Sequence, residues 1–178
     1  MKTLFDVLII MGSGSDEKKM SLAKEVLDKC NVPSSSTIFE YRISSAHRTP
    51  DRTREIVWKA EEAGCKVIIC GAGMAAHLAG AVASATILPV IGVPLTSDAS
   101  PLFGIDALLS TVQMPPGIPV ATVAIDRADN AAWLAVQILA LSDSILKNKL
   151  LKVRKEMADK VEKADDKLQQ KLADGREE

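Results

Sequence analysis

Four short runs of branched aliphatic residues constrain this chain more than any other feature. Residues 7–10, 66–70, 89–93 and 119–125 are rich in valine and isoleucine and lack period-two alternation. A strand with one wet face alternates, whereas a strand buried on both faces does not, and the usual home of the latter is a parallel sheet. A weaker run at 37–41 does alternate and suits a more exposed strand. Helix-like stretches at 16–30, 50–63, 75–85 and 105–112 lie between the runs. Pro50 stands where a first-turn proline belongs, with Thr49 as its N-cap, and Gly64 stands where a helix stops. Alternating strands and helices predict an α/β fold with right-handed crossovers, here a doubly wound parallel five-stranded sheet.

The last third changes character. Residues 130–146 read as one helix, and residues 147–178 hold 18 of the 45 charged residues without an aromatic or a proline. Leu146, Leu150, Val153, Met157, Val161, Leu168 and Leu172 recur at three-or-four spacing, with Ala164 filling the missing step. That pattern predicts an amphipathic C-terminal helical extension with a narrow apolar stripe, lying on its own domain or on a neighbouring subunit. The organisation expected is a catalytic domain over 1–146 and a helical arm over 147–178 that is not an independent domain.

Composition removes several function classes. A net charge of −1 argues against a general nucleic-acid binder or a basic membrane-surface protein. Six aromatic residues are too few for a single-strand stacking platform. The apolar run at 7–11 is too short for a signal core, and 81–95 is broken by Pro89, Gly92 and Pro94, so neither reads as a membrane segment. Cys30, Cys65 and Cys70 are odd in number and lack CxxC spacing, which points to reduced thiols and a cytoplasmic protein.

In an open α/β sheet, ligands bind at the carboxyl ends of the strands, so the strand-to-helix loops carry the functional question. The first reads Gly12-Ser13-Gly14-Ser15-Asp16. Its glycines let backbone amides approach a ligand, its hydroxyls donate to anionic oxygens, and the helix that follows attracts negative charge. A Gly/Ser turn before an Asp is equally common punctuation, and Asp16 suits either a ribose or a helix cap. No Gly-Lys-Ser/Thr follows, so it is not a Walker A loop. The second loop, Ser44 to Pro50, sets His47, a proton carrier, beside Arg48, a permanent cation that forks onto phosphate; alone, a surface histidine reads as well. The third runs from Gly71 to His77. The only two histidines of the chain, His47 and His77, thus both fall at the ligand-binding edge.

Two rivals are weaker. Gly71 to Ala76 fits a relaxed dinucleotide fingerprint with Asp98 after the next strand, but only one strand follows, too little for a full dinucleotide fold. A Ser-His-Asp hydrolase lacks the Gly-x-Ser-x-Gly elbow, and the two histidines match no zinc spacing, so no metal site is expected.

Taken in order, Met-Gly-Ser-x-Ser-Asp (11–16), Ser-Ala-His-Arg-Thr-Pro (45–50), Gly-Ala-Gly-Met-Ala-Ala-His-Leu (71–78), Pro-Val-Ile-Gly-Val-Pro (89–94) and Gln-Met-Pro-x-Gly-Ile-Pro-Val-Ala-Thr-Val-Ala-Ile (113–125) closely resemble the N5-carboxyaminoimidazole ribonucleotide mutase family of de novo purine biosynthesis. The resemblance spans about 6–146. It implies a three-layer flavodoxin-like fold, a homo-octamer with active sites at subunit interfaces, and no metal or organic cofactor. The implied substrate is a ribonucleotide carrying a carbamate, whose CO2 moves from the exocyclic nitrogen to ring carbon C4. Carried over to this chain, the resemblance sets Ser13, Ser15 and Arg48 at the phosphate and Asp16 at the ribose. It sets Ser45 and the backbone of Ala72, Gly73 and Met74 near the migrating carboxylate. His47 becomes the proton carrier, with His77 and Leu78 lining the site.

Two positions depart from the family. The mutase branch usually reads Gly-Gly-Ala-Ala-His-Leu-Pro-Gly in the third loop, whereas Met74 replaces the second glycine here and Ala79 the proline. A side chain at 74 either crowds the substrate or turns away on a backbone of negative φ. The carboxylase branch, which uses free CO2, typically has Lys at the Arg48 position and lacks the His77 segment, so the mutase is favoured. A direct carboxylase and a non-catalytic nucleotide-binding paralogue are the alternatives.

Overall fold

The computed structural model describes residues 5–30 and 39–174. The aliphatic runs form strands β1 (Val7–Met11), β3 (Val67–Gly73) and β4 (Val90–Leu95). Strand β2 (Phe39–Ile43) is the half-exposed one, shifted two residues from the expected run, whose residues 37 and 38 lie outside the described part. Strand β5 shrinks to Ala121–Thr122, well short of 119–125. All neighbours pair in parallel in the order β2-β1-β3-β4-β5, with Ile9 between Tyr41 and Ile69. The fold is the α/β, flavodoxin-like, doubly wound sheet.

The helices are α1 (Glu17–Cys30), α2 (Pro50–Glu62), α3 (Leu78–Ala83), α4 (Ile105–Val112), α5 (Ala128–Leu139) and α6 (Ser144–Asp174). Strand side chains alternate between two covered faces, which is why no polar period appears in the sequence. Leu8, Ile10, Ile68, Cys70 and Val90 pack with Val57 of α2 and Leu78 and Val82 of α3. On the opposite face α1 and α5 pack against each other, and Tyr41 ties β2 to α1 by donating to the Met20 carbonyl. A Cβ on Gly71 would lie 2.2 Å from the Met20 sulfur, so any larger residue there would displace the Met20 side chain.

Helix punctuation is partly as expected. Gly64 has φ +88° and donates to the Glu61 carbonyl, closing α2 in the left-handed turn that glycine adopts without strain. Pro50 opens α2, but Thr49 makes no cap bond: its hydroxyl turns back, accepting from the Ser45 amide at 3.1 Å and donating to the Ser45 carbonyl at 3.0 Å. The single helix expected over 130–146 is broken at 140–143. Asp143 Oδ1 accepts from the amides of Ile145 and Leu146 at 2.8 and 3.0 Å, an N-cap that starts α6 afresh.

The chain divides into two compact units, residues 1–139 and 140–178. The first holds the whole sheet. The second is mainly α6, whose stripe residues Met157, Val161, Leu168 and Leu172 are exposed. Among the described residues no helix is long and apolar enough to cross a membrane.

Candidate functional site

The order β2-β1-β3 reverses the winding direction at β1. The loops leaving β1 and β3 therefore diverge and open a crevice between their carboxyl ends. A cleft of about 490 Å3 lies there, within the size range of small-ligand sites. Its walls come from four loops of the first unit. Gly12, Ser13, Ser15 and Asp16 follow β1, and Ser45 to Arg48 follow β2. Ala72, Gly73, Met74, His77 and Leu78 close β3 and enter α3, and Ser97 follows β4. Every site residue expected from the sequence thus lines one cavity.

Two features give the cleft chemical direction. At one end, Ser13 accepts from the Ser15 amide and from its hydroxyl, at 3.3 and 3.0 Å. Arg48 reaches across from the second loop, its Nε donating to Ser45 Oγ at 3.3 Å and its Nη2 approaching the Gly12 carbonyl at 3.5 Å. A guanidinium beside two hydroxyls and a helix start is an anion-binding arrangement. Also on the wall, the rings of His47 and His77 stack, with centroids 5.4 Å apart and planes inclined by 21°. Asp16 lies between neutral and charged demands. Burial pushes its carboxyl above the ordinary value, while the Ser13 backbone and the Lys19 charge pull it back.

A profile of the family described as AIR carboxylase matches residues 6–160. The chain belongs to the AIR carboxylase family. Among curated relatives, the Pyrococcus horikoshii protein is 54% identical over 91% of this chain and 88% of its own length. The Methanocaldococcus jannaschii protein is 51% identical, covering 92% of this chain and 98% of its own. The Escherichia coli K12 protein is 49% identical, covering 87% and 89%. All three are named N5-carboxyaminoimidazole ribonucleotide mutase. A crystal structure of Treponema denticola PurE superposes with a TM-score of 0.80 at 28% identity, covering 91% of this chain and 97% of that one.

Within this AIR carboxylase family member, the two third-loop departures have different consequences. Ala79 is buried at the second position of α3, inside the first turn, where proline and alanine are both accommodated. Met74 does not adopt negative φ. At +56° it keeps the left-handed backbone a glycine would use, and it remains 46% exposed at the cleft wall.

Sequence reasoning missed the supports of the site. Beneath the His47–Arg48 loop, the buried Ser44 hydroxyl meets Thr53 at 2.9 Å and Thr49 at 3.2 Å, and Thr53 donates to the Thr49 carbonyl at 3.1 Å. This knot of hydroxyls consumes the cap expected of Thr49 and fixes the loop. Three hydroxyl residues at 44, 49 and 53, straddling a strand end and a helix start, were the available signal. Ser97, in the loop after β4 at the same edge, lines the cleft as well. Among the described residues, no cluster of three or more potential metal ligands occurs.

Proposed function

We propose that this cleft carries out the N5-carboxyaminoimidazole ribonucleotide mutase reaction of de novo purine (IMP) biosynthesis, an isomerisation that moves CO2 from the N5 carbamate to C4 and gives 4-carboxyaminoimidazole ribonucleotide. The observation that carries it is the stacking of the two histidines in a cleft that also holds Arg48, Ser13 and Ser15. The small-molecule ribonucleotide has its phosphate at Ser13, Ser15 and Arg48, and its ribose at Asp16. Ser45 and the backbone of 72–74 receive the carboxylate.

The bookkeeping of the reaction needs one proton carrier. When the N–CO2 bond breaks, the exocyclic nitrogen must gain a proton, and His47 donates it. The CO2 released bonds to C4, which still carries its hydrogen. Neutral His47 then removes that hydrogen as a proton, the ring regains aromaticity, and the imidazolium is restored. Imidazoles as a class exchange protons near neutrality, and positioned acid–base help is worth about 10²–10⁴ in rate. Confinement of CO2 beside the ring supplies further acceleration by proximity. His77, stacked on His47, holds its ring in place, and Leu78 lines the wall.

The protein assembles as a homo-octamer in the cytoplasm, with residues 1–146 as catalytic domain and 147–178 as arm. Support for self-association is the exposed apolar surface around α4, formed by Leu102, Phe103, Ile105, Leu109 and Val112. The test is a paired assay, with freshly made carbamate nucleotide against unmodified aminoimidazole ribonucleotide plus bicarbonate. Faster conversion of the carbamate supports the mutase, conversion only with bicarbonate moves the chain to direct carboxylation, and conversion of neither refutes both. His47→Asn is expected to abolish turnover while the nucleotide still binds; retained turnover removes His47 from its role.

A further inference from the structure

Outside the cleft wall, two residues from distant parts of the chain converge on Thr96 in the loop that carries Ser97. Lys19, one turn into α1, sends Nζ to the Thr96 carbonyl at 2.6 Å and to the Thr96 hydroxyl, and stands 3.4 Å from Asp126 Oδ2. Asp126 answers from beyond β5. Its Oδ1 accepts from the Thr96 amide at 2.8 Å and its Oδ2 from the Thr96 hydroxyl at 2.5 Å, while its own amide donates to the Pro94 carbonyl at 2.9 Å. The amide, hydroxyl and carbonyl of the residue before Ser97 are therefore all engaged. Asp126 makes these bonds from φ +57°, a left-handed conformation uncommon for non-glycine residues but more accessible to aspartate than to most.

We propose that Lys19, Thr96 and Asp126 form a positioning clamp that locks the loop after β4 against α1, and so places Ser97 and Asp16 for the nucleotide. The proposal rests on the nucleotide reading of the cleft and adds to it a set of residues that do not line the cavity. Lys19 stands three residues after Asp16, so the two side chains share one face at the start of the helix. The ammonium pairs directly with Asp126, and its charge also acts on the nearby Asp16. For Asp126, burial on its own would raise the carboxyl, but the Thr96 hydroxyl and amide and the Lys19 charge outweigh it and keep the group below its ordinary value. For Asp16, burial prevails, and Lys19 is among the influences opposing it. The other charged or titratable groups at the cleft are His47 and Arg48 after β2 and His77 after β3.

The experiment uses the full chain with Lys19→Met and Lys19→Arg. With the carbamate nucleotide, Lys19→Met is expected to raise KM about tenfold with kcat within about threefold, because the lost interaction serves binding more than chemistry. The acid limb of kcat/KM moves to higher pH, since Asp16 loses a cation that favoured its charged form, and Lys19→Arg restores most of the KM. Titration of the Asp16 carboxyl by NMR in the free protein gives a readout independent of turnover, and it too moves to higher pH in Lys19→Met. A folded Lys19→Met protein with unchanged KM and unmoved Asp16 titration overturns the clamp and leaves a surface ion pair. Wild-type protein that turns over neither nucleotide refutes the catalytic reading of the cleft, while the Asp16 titration still decides the clamp.

Discussion

Met74 offers the sharpest physical test. Its φ of +56° puts a branched-free but Cβ-bearing residue in the left-handed region, which costs a non-glycine residue about 1–2 kcal/mol. Glycine avoids that cost but gives back about 0.4–1 kcal/mol through the greater freedom of its unfolded chain. Met74→Gly is therefore expected to be more stable than Met74→Ala by about 0.8 kcal/mol, the difference between the midpoints of those two effects. For a chain of this size that separates the two variants by about 1–4 °C in Tm. Alanine keeps the strain and also loses the buried part of a side chain that is 46% exposed, about 1 kcal/mol, so it should melt below wild type. Scanning fluorimetry at one fixed protein concentration is the assay, because self-association makes Tm concentration-dependent. An alanine variant melting at or above the glycine variant would refute the strain argument. The same pair reports on function. If the thioether narrows the site, both variants lower KM equally; if the backbone alone matters, neither changes it.

Thr53→Val removes a partner from the buried Ser44 hydroxyl, and is expected to cost about 1–3 kcal/mol in urea unfolding and to lower kcat by loosening the His47 loop; a cost near zero means the hydroxyl knot is not structural. Asp16 titrates above its ordinary value, so its charge opposes folding above that raised value, and the penalty fades as pH falls toward 3.8. Asp16→Asn should accordingly raise Tm of the free protein at neutral pH, with the gain vanishing in acid, while nucleotide affinity falls at least tenfold; a lower Tm at pH 7 reverses the sign and refutes it. Burial pushes the Cys65 thiol up to about 11 and Cys70 higher still, so both are expected to stay silent toward a thiol reagent at pH 8 until the protein unfolds, and rapid labelling of the native protein contradicts this. Deletion from Lys147 is expected to lower the oligomer order by light scattering or to reduce Tm, and an unchanged assembly and Tm would make the arm dispensable.

The central strands were legible because burial on both faces leaves a continuous aliphatic run, and that run survives in the sequence whatever lies around it. The edge strand β5 was not, since the same valines and alanines at 119–125 carry no record of how many partners a strand will find. The end of α2 was legible at Gly64, where the backbone conformation and the residue type imply each other. The break before α6 was hidden: Leu139 and Leu146 keep helical spacing across it, and only the bonds of Asp143 to the next amides reveal a new start.

The candidate site divides along the same line. Each loop motif is local, so the sequence alone could put forward Ser13, Ser15, Asp16, Ser45, His47, Arg48 and His77 as candidates, and the order of the motifs was enough to name a family. How those loops face one another is set by the strand order β2-β1-β3, which lets His47 stack on a histidine thirty residues away and leaves Arg48 above the first loop. Lys19 meets Asp126 for the same reason. Contacts between residues so far apart in the chain depend on which strands become neighbours. That choice is made by packing both faces of the sheet at once, and no local stretch of sequence contains it.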